Sequence, residues 1–339
     1  MSSAPPLSKS SRRLAWISPG DDPAQYQAVE EACLRDSNSD FLILWINRPS
    51  VFVGKNQNLW AQVSAAEALH TGIPLNRRLS GGGTVYHDPG NLNFSLISSG
   101  EAKIAFRAHF EFVQPYFEAR NLAVEVRNRS DLFLGDRKIS GNAEYFSGGR
   151  ILHHGTLLFD SDLAQLGRLL TPDSHSYADR SIDSNRSPTL NLREHLPHLP
   201  DTRSFAEDLL AALLRHHPGL RRVAELPDRL SERSRKYLPR FTDPGWLYGR
   251  SPRYELSRQT RSGEREIRCR LRVEEGRICE LAIHTTPGEA ALQKECDALC
   301  KQLIGEYHAP DAVASILRDP SYEVGPKKLL SGVWPTLFF

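Results

Sequence analysis

Cysteine is scarce and scattered in this chain of 339 residues: Cys33, Cys269, Cys279, Cys296 and Cys300 are all there are. An odd number of widely spread thiols makes no disulfide frame. The Cys296-x-x-x-Cys300 pair lies in a helical pattern without nearby histidine ligands, so reduced thiols in a reducing compartment are expected rather than a zinc site. No cysteine occurs between Cys33 and Cys269, which excludes a thiol nucleophile from the centre of the sequence. Long apolar runs are missing too: none approaches the roughly 20 residues that cross a bilayer, so a soluble protein with no membrane partner is expected. An excess of charge of one sign is also absent. The formal net charge is +2 and the apolar content is ordinary, which argues against a disordered chain and against a general nucleic-acid binder.

The length predicts two domains. Residues 1–12, rich in Ser and Pro, read as a disordered tail; a transit peptide has a similar composition, but Pro5-Pro6 interrupts any amphipathic helix. A larger domain is expected over 13–240 and a smaller one over 246–339, with the boundary in the basic, polar stretch from Ser231 to Pro244. Within the first, Asp22-Pro23 offers an N-cap and a first-turn proline for a helix to about Leu34. Phe41–Ile46 and Val51–Gly54 read as buried strands, and Ser64-Ala65-Ala66-Glu67 as a capping box for a short helix ending near Gly72. Asn91–Ile97 alternates polar and apolar residues, as a half-buried strand does. A helix over 103–119, strands over 122–126, 131–134 and 151–159, and a second capping box at Ser204-Phe205-Ala206-Glu207 follow. Residues 171–201 have no apolar period and read as a long loop, either functional or disordered. In the smaller domain, Tyr254–Val273 reads as two strands around Ser262-Gly263, Ile278–Ile283 as a third, and 289–304 as an amphipathic helix. Tight turns join strands that outnumber the helices, so the fold class is α+β: a mixed sheet with helices packed on it, then a smaller α+β domain.

The chain is organised around Arg77-Arg78-Leu79-Ser80-Gly81-Gly82-Gly83-Thr84-Val85-Tyr86-His87-Asp88-Pro89-Gly90-Asn91. Three glycines without Cβ let backbone N–H groups approach a ligand closely, which makes a cradle for an anion with a basic side chain at its entrance. Neither a Gly-Lys-Ser/Thr continuation nor a spaced dinucleotide fingerprint accompanies them. Lys138, before Ile139-Ser140-Gly141, is a compact cation suited to a phosphate or carboxylate. Trp45 reads as a core aromatic. His87, His153 and His154 lack metal-ligand spacing, so no site for a metal held by protein alone is expected.

Three stretches in this order, R-R-x-S-G-G-G-x-V-x-H-D-x-G-N-x-N, D-R-K-x-S-G-x-A from Asp136 and H-H-G-T-L from His153, resemble the lipoate-protein ligase and lipoyltransferase family, relatives of biotin protein ligase. The likeness extends over most of residues 14–320. It implies a biotin/lipoate ligase-like catalytic domain that uses ATP and Mg2+ to convert lipoate or octanoate to acyl-AMP. The acyl group then passes to a lysine of a lipoyl domain, on a 2-oxoacid dehydrogenase E2 subunit or the glycine cleavage H protein, in the cytoplasm or, in a eukaryote, the mitochondrion. By the same resemblance Lys138 and Arg78 are the catalytic pair, and Arg78, Gly83, Thr84, Val85, Tyr86 and Lys138 lie along the adenylate. The acyl pocket it implies takes Trp45, Gly81, Gly82, His87, Asn91, Ser140, Gly141, Ala143, His154, Gly155 and Thr156. Arg180, Ser181 and Arg186 match the loop that closes over the adenylate, where Asp183 departs from the neutral or positive residue that is usual. Gln57-Asn58-Leu59-Trp60 is similar to the family's Q-N-P-W, with Leu59 replacing proline. Trp246–Pro252 looks like the domain junction of the lipoyl amidotransferases, which take an acyl group already activated or already on a protein. The resemblance leaves open ligase, amidotransferase and a lipoyl-domain-binding module without chemistry.

Overall fold

The structure, a computed structural model, describes residues 12–100, 106–171, 177–180, 187–317, 330 and 333–339. In chain order the elements are β1 (Arg13–Ile17), α1 (Pro23–Asp36), β2 (Asp40–Trp45), β3 (Ser50–Val53), α2 (Ala65–Thr71), β4 (Leu75–Arg77), β5 (Val85–His87) and β6 (Asn91–Ser99). Then come α3 (Phe106–Glu118), β7 (Val124–Arg127), β8 (Asp131–Leu134), β9 (Arg137–Ser147), β10 (Arg150–Leu158), α4 (Leu163–Leu169), β11 (Tyr177–Ala178), α5 (Thr202–His216), β12 (Leu220–Arg222) and α6 (Asp228–Thr242). The chain closes with α7 (Pro244–Leu247), β13 (Tyr254–Ser262), β14 (Arg265–Glu274), β15 (Arg277–His284), α8 (Ala290–Leu303), α9 (Pro310–Leu317) and α10 (Trp334–Phe338).

Two compact units emerge, one drawn from residues 1–54, 76–166 and 185–242, the other from 55–75, 167–184 and 243–339. The first is built on an eight-stranded mixed sheet in the order β12-β1-β2-β6-β10-β9-β8-β7. Its β12-β1-β2 edge is parallel and the rest antiparallel. Alternation along β2 divides the core. Leu42 and Leu44 join Phe94, Phe112, Tyr116 and Phe205 on the face covered by α3 and α5. Phe41, Ile43 and Trp45 join Tyr26, Val29, Cys33 and Leu230 on the face covered by α1 and α6. That two-sided burial is why β2 reads as an unbroken apolar run.

Local chemistry starts α1: Asp22 Oδ1 accepts from the N–H of Ala24 and Gln25 at 3.0 and 2.9 Å, and Pro23 occupies the first turn. Ser64 caps α2 through the Glu67 N–H at 3.3 Å, and Gly72 ends it with φ of 65°. Two expectations are corrected. The α5 cap is Asp201, whose Oδ1 accepts from the Ser204 N–H at 2.7 Å, so Ser204 lies inside the first turn. The basic stretch from Ser231 is mostly helix α6, held to α1 by Arg240 on Glu31 and by Tyr237 Oη donating to Asp36 at 2.9 Å, and the two units divide at its end, between Thr242 and Asp243. β6 is buried from Asn91 to Ser98 on both faces, so its polar residues face protein rather than water.

The second unit carries the antiparallel sheet β11-β13-β14-β15 with α8 packed on β15. The apolar C-terminal stretch docks within it. Trp60 Nε1 donates to the His308 carbonyl at 2.9 Å, and the Phe339 ring stacks on His308 at 4.5 Å and meets Trp60 edge-on at 4.8 Å. Trp60, singled out by the Q-N-x-W pattern, is thus a core aromatic of this unit.

Candidate active site

Strand register gathers the polar residues of the first unit on one face of its sheet. Trp45 pairs with Asn93, Ser95 with His154, Asn93 with Thr156, and His154 with Ala143. Because side chains alternate along a strand, these residues share the face beneath α1. They bond to one another: Trp45 Nε1 donates to Ser95 Oγ at 3.0 Å, Ser95 Oγ to Glu30 Oε1 at 2.6 Å, and Asn91 Nδ2 to Asn93 Oδ1 at 2.8 Å. Glu30 reaches this face from α1 and is buried. It was missed in the sequence, where the Glu30-Glu31 pair stands among the other polar residues of α1, Gln25, Gln27, Arg35 and Asp36.

The glycine loop hangs from β3, where the Arg78 N–H donates to the Val53 carbonyl at 3.1 Å. The buried Arg78 guanidinium threads the loop from inside, donating to the carbonyls of Phe52 at 3.1 Å, Gly81 at 2.8 Å and Gly83, and through Nε to Ser80 Oγ at 3.0 Å. Desolvation pulls its pKa down to about 10 against the attraction of Glu30, which leaves it a cation at neutral pH. Gly82 takes φ of +85°, and a Cβ there would lie 3.2 Å from Arg78 Nη2 and 3.5 Å from the Ala143 Cβ, so the loop rests on β9. Gly81 and Gly82 are exposed, and the N–H groups of Gly81, Gly82 and Gly83 donate to no group among the described residues. Arg78 therefore shapes the cradle, and the glycine amides are what it presents.

Behind the loop runs a hydrogen-bonded chain. Glu30 Oε1 accepts from His154 Nδ1 at 3.0 Å, and His154 Nε2 lies 2.6 Å from Ser80 Oγ. His87 is buried beside Trp45 and Phe52, with ring centroids at 5.7 and 4.4 Å. Its Nδ1 meets Asn47 Nδ2 at 3.0 Å. Burial, then the nearby Arg78 and His154, hold its pKa well below the ordinary value, so the ring is neutral. Thr84 and Tyr86 are buried, and Val85 pairs with Phe52 across β5 and β3.

Lys138 enters from β9, where Leu132 pairs with Ser140 but Phe133 with Lys138, leaving Ile139 as the extra residue of a β-bulge. Bulges beside functional sites re-aim side chains. The Lys138 ammonium pairs with the buried Asp131 at 2.8 Å, a partner the sequence did not mark. The main chain of Lys138 is held from outside by the Pro188 carbonyl and the Leu190 N–H at 2.8 and 3.0 Å. A Cβ on Gly141 would lie 3.3 Å from Lys138 Nζ, and the Gly141 N–H donates to Thr156 Oγ1 at 3.1 Å. Ser140 Oγ accepts from Asn142 Nδ2 at 3.0 Å, and Asn142 in turn blocks the space over Gly155.

His153 points to the opposite face, where His109, Glu144 and His153 form a cluster. Glu144 Oε1 lies 3.0 and 3.2 Å from the two Nδ1 atoms. The imidazole rings stack with centroids 4.4 Å apart and planes 7° apart, and two parallel rings cannot both direct an in-plane lone pair at one ion. Of the closing loop, Arg180 is exposed in the second unit, while Ser181, Asp183 and Arg186 lie outside the described residues. Cys33 is buried in the α1 core, and desolvation pushes its thiol pKa upward.

Residues 22–214 match the model of the lipoyl protein ligase A/B catalytic domain. The chain is 32% identical to the lipoate-protein ligase LplJ of Bacillus subtilis (strain 168) over 308 residues, 88% of this chain and 91% of that protein. It is also 32% identical over 265 residues to lipoate–protein ligase 1 of Staphylococcus aureus, covering 76% of this chain and 79% of that one. Among solved structures, P. falciparum LipL1 in complex with lipoate aligns with a TM-score of 0.59 at 22% identity, covering 95% of this chain and 98% of that one. Lipoate-protein ligase A bound with ATP aligns at 0.58 and 22%, covering 70% and 98%.

Proposed function

The chain belongs to the family of lipoyl protein ligase A/B catalytic domains, and from that premise we propose that it is a lipoate-protein ligase. It activates lipoate or octanoate with ATP and passes the acyl group to a lysine of a lipoyl domain. The names of its bacterial relatives support the activity. The ATP-bound ligase supports the nucleotide, and an archaeal ligase described with its E2 lipoyl domain supports the partner. The observation that carries the reading is the convergence of glycine amides unengaged among the described residues, the Arg78 cation and the Lys138–Asp131 pair on one face of the sheet.

In the first half-reaction a carboxylate oxygen attacks the α-phosphorus, and the bond to pyrophosphate breaks in line. We assign the glycine amides, backed by Arg78, to the phosphate oxygens along Gly83–Tyr86, and Lys138 to the charge that grows between carboxylate and α-phosphate. In the second, a neutral lysine amine of the carrier attacks the mixed-anhydride carbonyl and AMP leaves. Magnesium, when bound with the nucleotide, would supply charge neutralisation at the phosphates, held chiefly by phosphate oxygens, since the nearby Asp131 carboxylate is already paired with Lys138. We assign the acyl chain to the space between Trp45 and His87 on one side and Ala143, His154 and Thr156 on the other, with Gly81, Gly82, Asn91 and Gly141 completing its walls; Ser140 and Gly155 face Asn142 on the opposite side of the sheet and support that wall from behind. Arg180, Ser181 and Arg186 are proposed to close over the adenylate. E2 subunits of 2-oxoacid dehydrogenases and the glycine cleavage H protein are the proposed carriers. Four of the five free thiols are buried, which suits a reducing cytoplasm.

Incubation with lipoate, ATP and an apo lipoyl domain should add one lipoyl mass to the carrier, with lipoate-dependent exchange of labelled pyrophosphate into ATP. No modification from any acyl donor would overturn the reading. Absent exchange, with lipoyl-adenylate or a lipoylated carrier still serving as donor, would replace it by amidotransfer.

A further inference from the structure

Arg78 is a cation sealed inside the first unit, and among the described residues it forms no direct ion pair. It is 6% exposed, and the groups that accept from it are the carbonyls of Phe52, Gly81 and Gly83 and the Ser80 hydroxyl, all of them neutral. A buried guanidinium without a counter-charge is costly. The counter-charge is Glu30 of α1, 3% exposed, whose attraction works against the burial that pulls the Arg78 pKa down to about 10. The two charges do not touch. Ser80 and His154 stand between them.

Donors and acceptors run one way along this path. Arg78 Nε donates to Ser80 Oγ at 3.0 Å, Ser80 Oγ lies 2.6 Å from His154 Nε2, and His154 Nδ1 lies 3.0 Å from Glu30 Oε1. A carboxylate only accepts, so Nδ1 carries the proton; Nε2 of the neutral ring is then an acceptor, and the Ser80 hydroxyl proton points to it. Each link polarises the next, so the pull of a carboxylate reaches a guanidinium that it does not touch. Glu30 is itself fixed from the sheet, where Ser95 Oγ donates to it at 2.6 Å and accepts from Trp45 Nε1 at 3.0 Å. At the other end of the chain, Arg78 holds the carbonyls of Gly81 and Gly83 inward. A loop whose carbonyls turn in presents its amides outward.

We propose that Glu30 is a positioning residue for adenylation: acting through His154 and Ser80, it is the remote counter-charge that keeps Arg78 charged and turned into the loop, and so keeps the glycine amides aimed at a phosphate. The identity of that phosphate as ATP rests on the ligase reading; the relay does not. Glu30 touches neither phosphate nor nucleotide, and no proton or bond is exchanged along the chain. Its contribution is to the geometry that exists before the anion arrives. Removing its charge leaves Arg78 a buried cation with neutral acceptors alone, which loosens its hold on the two glycine carbonyls and lowers the affinity of the cradle for an anion. The acyl acid is affected differently, because a glutamine at this position still accepts from Ser95 and leaves the Trp45 side of the network in place.

The test combines calorimetry with nitrogen NMR on the full chain. In Glu30→Gln, which keeps the shape and deletes the charge, binding of ATP with magnesium should weaken by about tenfold or more, the scale of a lost interaction with a charged group, while lipoate binding stays in place; Glu30→Asp, which restores the charge, should recover part of the loss. Equal weakening toward both ligands is what a merely structural residue gives, and it overturns the proposal. Ser80→Ala cuts the chain and spares both charges. It should weaken ATP binding too, and Glu30→Gln in that background should cost less than it does alone; strict additivity overturns the relay. In the wild type, the ring nitrogens of His154, assigned through His154→Asn, should show Nδ1 protonated and Nε2 bare but hydrogen-bonded. The opposite tautomer refutes the direction of the chain, and this measurement decides the matter even if Glu30→Gln fails to fold. A wild-type chain that binds neither ATP nor lipoate sinks the ligase reading and leaves the relay to the tautomer; ATP binding indifferent to Glu30→Gln sinks the relay alone.

Discussion

Gly155→Ala places a methyl group where the first unit has no room. Gly155 lies in β10 opposite Phe94 of β6 and Asn142 of β9. An ideal Cβ there would stand 2.0 Å from Asn142 Oδ1, 2.8 Å from its Cγ and 2.9 Å from Phe94 Cε1. Phe94 is fixed in the core. Asn142 is held by two donated hydrogen bonds, to the Ser130 carbonyl at 2.7 Å and Ser140 Oγ at 3.0 Å, and its Oδ1 lies 3.2 Å from His153 Nε2. The added methyl must therefore expel the carboxamide. Overpacking costs roughly 1–3 kcal/mol, and two lost hydrogen bonds cost about 1 kcal/mol each, so destabilisation of about 3–5 kcal/mol is expected. That is a large share of the roughly 5–15 kcal/mol that holds a domain folded.

Urea unfolding followed by far-UV circular dichroism measures the loss, and a double-mutant cycle identifies its cause. Asn142→Ala alone gives up the same two hydrogen bonds, which the Gly155→Ala background has already lost, while the close contact with Phe94 remains in both Gly155→Ala proteins. The pair should therefore be non-additive by about 2 kcal/mol in the stabilising direction. A Gly155→Ala protein within about 0.5 kcal/mol of wild type, the range of neutral surface changes, or a strictly additive pair, would refute the argument that this glycine exists to seat Asn142.

Lys138→Ala should lower turnover about 100-fold, the scale of a lost transition-state charge, in a chain that keeps its circular dichroism spectrum; adding Asp131→Asn should recover stability but not turnover, since it removes only the stranded carboxylate. Arg78→Lys should weaken ATP binding about tenfold or more by calorimetry, because a single ammonium cannot fork onto the carbonyls of Phe52, Gly81 and Gly83. Buried His308 accepts from Tyr254 Oη and donates through Nε2 to the Phe338 carbonyl at 2.6 Å. Burial lowers its pKa to about 4 despite that bond. The unfolded chain therefore binds the extra proton between about pH 6.5 and 4, so His308 contributes stability that is complete above that window and lost as pH falls through it, at about 1.4 kcal/mol per unit. Urea midpoints of the second unit between pH 7 and 5 should show that slope, and His308→Gln should flatten it.

The elements legible in the sequence were those written by neighbouring residues. Asp22-Pro23 and Ser64-x-x-Glu67 start helices because the oxygen that caps and the N–H it accepts from lie within three residues of each other. Where two caps competed, the pattern slipped: Asp201 and Ser204 are both good candidates, and only the carboxylate has the extended backbone of a cap. α6 read as a polar boundary because few of its residues are buried, among them Leu230 and Phe241, while ion pairs and hydrogen bonds to α1 secure the rest of that face. Such partners lie some two hundred residues away in the chain, and no local periodicity reports them.

The site was half legible for a related reason. Alternation along Asn91–Ile97 states which residues share a face, but not whether water or α1 covers it. Once α1 is in place, the polar set becomes a floor of hydrogen bonds: Asn93 to the Trp45 carbonyl, Ser95 to Glu30, Glu30 to His154. The motifs supplied Arg78, Lys138 and His154, yet each is governed by a residue outside the pattern that marked it or left unassigned within it. Asp131 holds Lys138, Glu30 orients His154, and Ser80 joins His154 to Arg78. Arg78 shows how far this changes the chemistry. As a residue before three glycines it is a cation awaiting phosphate, whereas folded, its donors are engaged by loop carbonyls and Ser80, and the groups left facing outward are backbone amides. A buried cation aligning those amides is an anion site prepared before the anion arrives, and that preorganisation is carried by the packing of β3, β9 and α1 around the loop rather than by the loop's own sequence.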